Sequence, residues 1–384
     1  MNNISHIASD CTGCTSCMNS CPREAIKMLP DNVGFYYPYI NTDLCIDCGK
    51  CVKACPVAGS DDVIDNRIRA YYGASQNIDV VSKSSSGGAF SVMAEYVLEK
   101  NGLVCGAAMN YETMELEYKS SDNSNLDSLR RSKYIASNPH TIFKEVKTEL
   151  NKDRLVLFCG LACHIDGLKK FLNKEYLNLI TCDLICGGTA SPLYFREHIR
   201  VLEKKYGSKV VDVNFRAKLY GWKEHSLKIS FANRKEYATS AFFDSFFKGY
   251  FEKPYQRDSC YKCKYRLAHR SDIIIADYWA GLKKGRGNNE GVSMVITNSK
   301  QGDEFWLNVL KTQNHNFLEM PIEDSNYVFK KEEERYNKAF STKREFMCLY
   351  EKYGFEKAAR MTYFKGIFIA KLKRLLYNIK KQIL

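Results

Sequence analysis

The sequence predicts two unlike parts: an α/β core domain and, before it, a small α+β module with cysteine at its centre. Two observations predict this. Cysteines recur at Cys11, Cys14, Cys17 and Cys21, and again at Cys45, Cys48, Cys51 and Cys55, with Pro22 and Pro56 closing the two runs. Past about residue 68, short apolar runs alternate with stretches of helical period as far as Thr297, the pattern of a sheet covered by helices.

Each cysteine run is C-x2-C-x2-C-x3-C-P, the spacing that holds a cubane 4Fe-4S cluster. Three closely spaced thiolates wrap one cluster within a single loop. The fourth stands further on, where proline turns the chain away, and ligates the other cluster. Cys11, Cys14, Cys17 and Cys55 are therefore assigned to one centre, and Cys45, Cys48, Cys51 and Cys21 to the second. Zinc is the competing reading. It wants paired C-x2-C units gathered tetrahedrally, not two four-cysteine runs ending in proline. Between the runs, Ala25–Leu29 and Phe35–Ile40 read as strands joined by a turn at Pro30–Gly34, and each close triple leads into a helical turn. Residues 1–60 thus form a ferredoxin-like two-cluster module. So small a unit leans on its metal for stability. The polar stretch Gly59–Asn66 reads as a linker.

The core opens with a strand at Arg69–Ala74. Lys83, Ser84, Ser85, Ser86, Gly87 and Gly88 then precede a helix from Ala89 to Leu98, closed by Asn101-Gly102. Hydroxyls and glycines at a helix start suit an anion such as a flavin pyrophosphate, because free N–H groups and the positive dipole end point out there. A plain serine cap is the simpler alternative. Leu103–Met109 reads as a buried strand with Cys105 as a small core residue. Arg130, Arg131, Lys133 and Tyr134 follow a polar loop, where they either reach phosphates or lie solvated.

From residue 151 strands and helices alternate. Arg154–Phe158 is a strand that turns through Cys159, Cys163 and His164 into a helix. Leu179–Ile185 is a strand ending at Cys186-Gly187-Gly188. Ser191 caps a helix through Leu202, with Pro192 at its first position. Residues 211–240 read as a hairpin-type insertion. A lone C-x2-C, Cys260 and Cys263, is ambiguous among a metal half-site, a redox dithiol and chance. Cys163 and Cys186 are its best-placed partners for a third cluster, since both lie in strand-end loops. Cys159 and Cys182 read as core. Strands at Ser271–Trp279 and Gly291–Thr297 flank a Gly- and Lys-rich loop read as mobile and close to the active site. Asp277 and Trp279 either position a ring or pack the strand end. Residues 68–150 and 151–345 are taken as the two parts of one catalytic region.

Composition narrows the function. A content of 45% apolar residues fits a packed globular chain. The formal charge of +13 falls to roughly +7 once three clusters, each net 2− with its thiolates, are counted. No nucleic-acid-binding signature accompanies the basic excess, so no nucleic acid is expected as partner. No leader pattern and no membrane-length apolar run is present, and 16 cysteines suit a reducing cytoplasm. Residues 346–384 read as a basic amphipathic helical tail. From Lys365 to Leu384 it holds six Lys/Arg and no acid, with apolar residues on one face. It suits a membrane surface, a partner protein, or packing on its own domain.

Several ordered motifs together resemble the coenzyme F420 hydrogenase/dehydrogenase beta-subunit family over about residues 1–320. They are Lys83–Gly88, Arg131-Ser-Lys-Tyr134, Cys159-Gly-Leu-Ala-Cys163-His164, Asp183-Leu-Ile-Cys186-Gly-Gly-Thr-Ala-Ser-Pro192, Asn214-Phe-Arg-Ala-Lys218 with Gly221-Trp222, Cys260-Tyr-Lys-Cys263 and Ala276-Asp277-Tyr-Trp279. The resemblance implies FAD, with the serine–diglycine helix start and Lys133 facing it, and a core cluster on Cys163, Cys186, Cys260 and Cys263. His164 stands where the family more often has glutamine; it and Asp277 are the candidate catalytic residues. The expected function is an iron–sulfur flavoprotein oxidoreductase that passes electrons between a cluster relay and a small organic substrate through FAD, fed by a ferredoxin or another redox protein. One alternative is an electron-transfer subunit of a larger dehydrogenase or hydrogenase complex. Another is a non-catalytic iron–sulfur assembly protein linked to surface polysaccharide synthesis.

Overall fold

The computed structural model describes residues 2–59, 66–122, 125–267, 269–287, 289–312, 315–330 and 340–363. In the module, helix α1 (Ser16–Ser20) and helix α2 (Lys50–Lys53) each lie within a cysteine run, as the spacing predicts. Strands β1 (Ile26–Pro30) and β2 (Tyr36–Ile40) form an antiparallel hairpin, with Ile26 opposite Ile40 and Pro30 opposite Tyr36. Pro30 is tolerated because it ends its strand in a two-stranded sheet.

The core is a nine-stranded mixed sheet. Its strands are β3 (Arg69–Gly73), β4 (Leu103–Asn110), β5 (Glu115–Ser121), β6 (Ser137–Asn138), β7 (Val156–Cys159) and β8 (Leu179–Leu184), followed by β12 (Ile273–Asp277), β13 (Ser293–Thr297) and β14 (Leu318–Met320). The order across the sheet is β14-β3-β13-β12-β8-β7-β4-β5-β6. The central four, β12, β8, β7 and β4, run parallel, and their carboxyl ends open on one edge. That is where an open α/β sheet places ligands. The single sheet draws strands from both sides of residue 150.

Alternate residues of each central strand face opposite layers. Leu157, Ile180 and Cys182 pack under helix α4 (Ala89–Glu99) and helix α12 (Lys300–Leu310). Val156, Phe158 and Leu179 pack under helix α6 (Ile142–Leu150) and helix α7 (Ala162–Leu172). Helix α8 (Pro192–Tyr206) starts as its sequence predicts, with the Ser191 hydroxyl accepting from the Tyr194 N–H at 3.1 Å. The insertion is a three-stranded antiparallel sheet of β9 (Val210–Asn214), β10 (Ser226–Phe231) and β11 (Glu236–Ser240), one strand more than a hairpin.

Two findings differ from the sequence expectations. The cap of α4 is Gly88, at φ +89°, so none of Ser84–Ser86 caps this helix; the Ser293 hydroxyl, from β13, accepts from the Ala89 N–H at 3.4 Å. Residues 346–363 are not a free tail: Phe346, Phe355 and Tyr363 are buried in the aromatic cluster around Tyr194 and Phe246. Phe364–Leu384, the basic amphipathic part, lies outside the described residues. Among the described residues, no helix is long and apolar enough to cross a membrane.

Candidate functional site

The cysteines of the module separate into two sets. Burial pushes the Cys14 thiol up to about 12, with Cys11 and Cys55 adding to the effect as like-charged neighbours. Cys17 is raised well above the ordinary thiol range by burial and by the same three cysteines. Cys11, Cys14, Cys17 and Cys55 are therefore one buried group. Cys21, Cys45, Cys48 and Cys51 instead surround a second, smaller hollow near the surface, where Cys48 is exposed. Among the described residues no three His, Cys, Asp or Glu side chains close on a single metal ion. One zinc with bonds of about 2.3 Å would need that closeness. Thiols ringing a hollow suit the larger cubane. Backbone N–H groups of Gly13 and Ala25 donate to the Cys11 and Cys21 sulfurs at 3.4 and 3.3 Å.

The buried set abuts α7. An added Cβ on Gly167 would lie 2.8 Å from the Cys14 sulfur, so only glycine lets the module approach this closely. The Ser16 hydroxyl donates to the Gly167 carbonyl at 2.9 Å. Gly167 stands one helical turn after Cys163 on the same face. The thiol of Cys163 is accordingly raised well above its usual range, by burial first, then by Cys263, Cys186, Cys260 and Cys14.

These four core cysteines come from three places in the chain. Cys163 is in the first turn of α7, Cys186 lies past the end of β8, and Cys260 and Cys263 lie at helix α10 (Asp258–Tyr261). All four line one cavity of about 230 Å³, together with Thr12 and Gly13 of the module. The Gly188 N–H donates to the Cys186 sulfur at 3.3 Å.

A second cavity, of about 250 Å³, opens at the carboxyl ends of β7, β8 and β12. Ser84, Ser85, Ser86, Gly88, Lys133, Tyr134 and Asp277 line it. The two cavities share Ser137, Leu161, Cys186, Gly188 and Thr189, so one wall separates them. The start of α4 forms part of the lining; Ala89 N–H donates to Ser293, and the next N–H groups, at Phe90 and Ser91, suit an anion. The Ser85 hydroxyl accepts from the Ser132 N–H at 2.7 Å, tying the serine loop to the basic one. Lys218 donates to the Val81 and Ser86 carbonyls at 2.7 and 3.1 Å and holds the same loop from behind. Lys133 donates to the carbonyls of Leu129, Arg130 and Arg131. Burial and then Arg131 lower its ammonium to about 7.

Residues 153–321 match the family model for the carboxyl-terminal part of the coenzyme F420 hydrogenase/dehydrogenase beta subunit, and residues 10–58 and 37–86 match two models of a 4Fe-4S dicluster domain. Residues 153–321 belong to that family. A 4Fe-4S dicluster domain precedes them. The module is similar to the ferredoxin-type protein NapF of Escherichia coli K12, at 42% identity over 45 residues, 12% of this chain and 27% of NapF. It is also similar to a ferredoxin of Alicyclobacillus acidocaldarius, at 43% identity over 53 residues, 13% of this chain and 62% of that one. The chain thus spans just over a quarter of the NapF relatives it matches. A solved structure of the F420-reducing [NiFe] hydrogenase complex from Methanosarcina barkeri aligns over 75% of this chain and 95% of its own, with 15% identity and a TM-score of 0.49.

Not every expected residue reaches the serine-lined cavity. Lys83 points away and pairs with Asp127 at 3.2 Å. Gly87 packs against the backbone of Gly73 and Ser293, where a Cβ would have no room. His164 and Asp277 are not brought together. His164 is on the cysteine side, with its Nδ1 3.1 Å from the Tyr118 hydroxyl. Burial, then the charge of Arg257, lowers it to about 3, so it is neutral near pH 7. Asp277 pairs with buried Arg216 at 2.7 Å, and Arg216 also reaches the Tyr134 hydroxyl at 3.3 Å. Trp279 stacks on Trp222, with centroids 4.1 Å apart, and Arg216 lies over the same ring. Tyr118, Leu116 and Tyr250 line the cavity without any sequence signal. Arg216 had one, the Asn-Phe-Arg-Ala-Lys stretch. Cys182 is buried core, but Cys159 lines the cavity.

Proposed function

We propose that this protein is an iron–sulfur flavoprotein oxidoreductase. One observation supports the reading above others: three cysteine sets and a serine-lined cavity follow one another without a gap from the exposed Cys48 to Asp277. Cys45, Cys48, Cys51 and Cys21 would hold the outer cluster, Cys11, Cys14, Cys17 and Cys55 the inner one, and Cys163, Cys186, Cys260 and Cys263 a third. FAD would supply the step between one-electron relay and two-electron organic chemistry. Ser84–Ser86, Gly88 and the start of α4 would bind its pyrophosphate, with Lys133 as the nearby cation. The wall at Leu161 and Gly188 keeps cluster and ring apart while leaving them adjacent. The Arg216–Asp277–Tyr134 group orients what lies at the strand ends. A ferredoxin or similar redox protein would meet the outer cluster, in a reducing cytoplasm.

The family's description as a beta subunit favours a second reading, in which the chain serves a larger complex. The two differ in what the isolated chain does. Anaerobic preparations assayed for iron, sulfide and flavin, with a visible spectrum, test both. The enzyme reading expects bound flavin that is bleached by reduced ferredoxin with no other protein present. A colourless, sulfide-free and flavin-free chain would sink it.

A further inference from the structure

Arg257 is a long cation inserted between the module and the core at the inner cysteine set. It is 3% exposed. Its Nε donates to the Cys11 carbonyl at 2.6 Å and its Nη2 to the Tyr36 carbonyl at 2.7 Å. The guanidinium lies over the Tyr37 ring at 4.3 Å and the Phe35 ring at 5.6 Å. A Cβ on Gly13 would stand 3.0 Å from its Nη1, so it covers the Cys11–Cys14 loop. The same side chain lines the core cysteine cavity. Among the described residues no carboxylate pairs with it; its neighbour Asp258 is engaged by Lys343. A buried charge without a counter-charge is costly, and proteins pair such charges. Four thiolates around an iron core would be the missing negative charge.

The outer set differs: Arg23 and Lys50 line its hollow too, but both are exposed and screened by solvent, and a carboxylate stands beside one ligand. Asp47 places Oδ1 3.9 Å from the Cys45 sulfur and accepts from Asn3 at 3.3 Å. Reduction adds one negative charge to a cluster. A nearby buried cation favours that charge, and a carboxylate disfavours it. Burial of the inner set works the other way, since low dielectric opposes added charge. It also strengthens the effect of the guanidinium, which solvent does not screen.

We propose that Arg257 sets the direction of the relay, by making the inner cluster easier to reduce than its burial alone would allow, while Asp47 makes the outer one harder. This rests on the inner set holding a cluster, as proposed above. Electrons arriving at the surface would then run inward. The transfer itself is simple: the outer cluster loses one electron, the inner gains it, and no bond is made or broken.

Potentiometric titration of the holo-protein, followed by electron paramagnetic resonance, tests this. At the wild-type midpoint of the inner cluster, Arg257→Met should lower the reduced-to-oxidised ratio of that cluster by about tenfold or more. The outer cluster should stay unmoved. Arg257→Lys, which keeps the charge, should stay within about threefold. Asp47→Asn identifies the outer signal by shifting it alone, towards easier reduction. If Arg257→Met loses iron, Arg257→Gln, which keeps a neutral donor near the Nε position towards the Cys11 carbonyl, carries the same expectation. The proposal is overturned if the neutral variants shift no cluster relative to the outer one, or if Arg257→Lys moves the inner signal as far as Arg257→Met. Absence of cluster signals in the wild type would instead refute the ligand assignment.

Discussion

The module and the core protect their interiors by different means. The buried cluster of the module consists of Ile4, Ile7, Ile26, Cys11, Cys17, Cys51 and Cys55, so four of its seven members are expected ligands. The core packs Tyr194, Phe195, Phe215, Phe246, Phe247 and Phe355 around aliphatic residues, with no thiol in that cluster. An interior of thiols is stable only with iron bound. An interior of rings is stable by itself, each buried ring adding several kcal/mol at about 25 cal/mol per Å². The two parts should therefore come apart differently when metal is removed.

Chelation gives the largest expected effect. Treating the anaerobic protein with a strong iron chelator should unfold residues 1–60 while the nine-stranded sheet stays folded. Limited proteolysis would show cleavage in the module and a protected fragment starting near residue 68. Uniform cleavage of the whole chain would break the comparison. Within the core, Cys260→Ser should remove about a third of the iron if three equal clusters are present. Cys105→Ser, on the far side of β4, should remove none. Iron and sulfide counts decide it, and equal losses in the two variants would refute the core ligand set.

The same contrast explains what the sequence disclosed. Each module set has three members in one local run and takes its fourth from the other, a division that the spacing of the repeated run itself suggests. The core cysteines lie as far apart as Cys163 and Cys263, and spacing left Cys260-x2-Cys263 open among several readings. The parallel pairing of β7 and β8 sets the Cys163 and Cys186 loops side by side, and the bridge between Ala190 and Gln256 brings the Cys260 loop to them; neither pairing is written locally. The central strands were legible because they are continuous apolar runs, buried on both faces. Strand β5, next to the edge strand β6, is not such a run: Glu115, Glu117 and Lys119 alternate with buried Leu116 and Tyr118. His164 was a candidate because it stands where the family more often has glutamine; it lines the cysteine cavity with its neighbour Cys163, away from Asp277.

The serine-lined cavity, proposed above to hold FAD, is next in size of effect. Gly88 has φ +89°, and an added Cβ would lie 3.1 Å from Val80 Cγ1. Gly88→Ala should strain the α4 start by about 1–2 kcal/mol and weaken flavin binding by roughly tenfold, with iron unchanged. Lys83→Ala should leave flavin binding alone, since Lys83 faces Asp127 and not the cavity. Fluorescence titration of flavin into the stripped protein separates the two. Equal weakening would restore Lys83 to the site and remove Gly88's special role.

The smallest effect belongs to the ring-packed region and is indifferent to iron. His198 is buried with its Nε2 2.9 Å from Asp244 and its Nδ1 2.6 Å from Glu356. Burial alone would lower its pKa, but Asp244 and then Glu356 more than offset this and hold it up at about 10. The folded value lies above the unfolded one of about 6.5. The stability this triad contributes is therefore complete below about pH 6.5 and is lost as pH rises towards about 10. His198→Gln leaves two carboxylates without their cation and should cost roughly 3 kcal/mol at neutral pH. Urea unfolding followed by tryptophan fluorescence, at pH 6, 8 and 10, should show the gap between wild type and variant shrinking as pH rises, with or without chelator. A gap that stays constant across this range would mean that His198 acts by packing against Phe246 and Phe355, not by its charge.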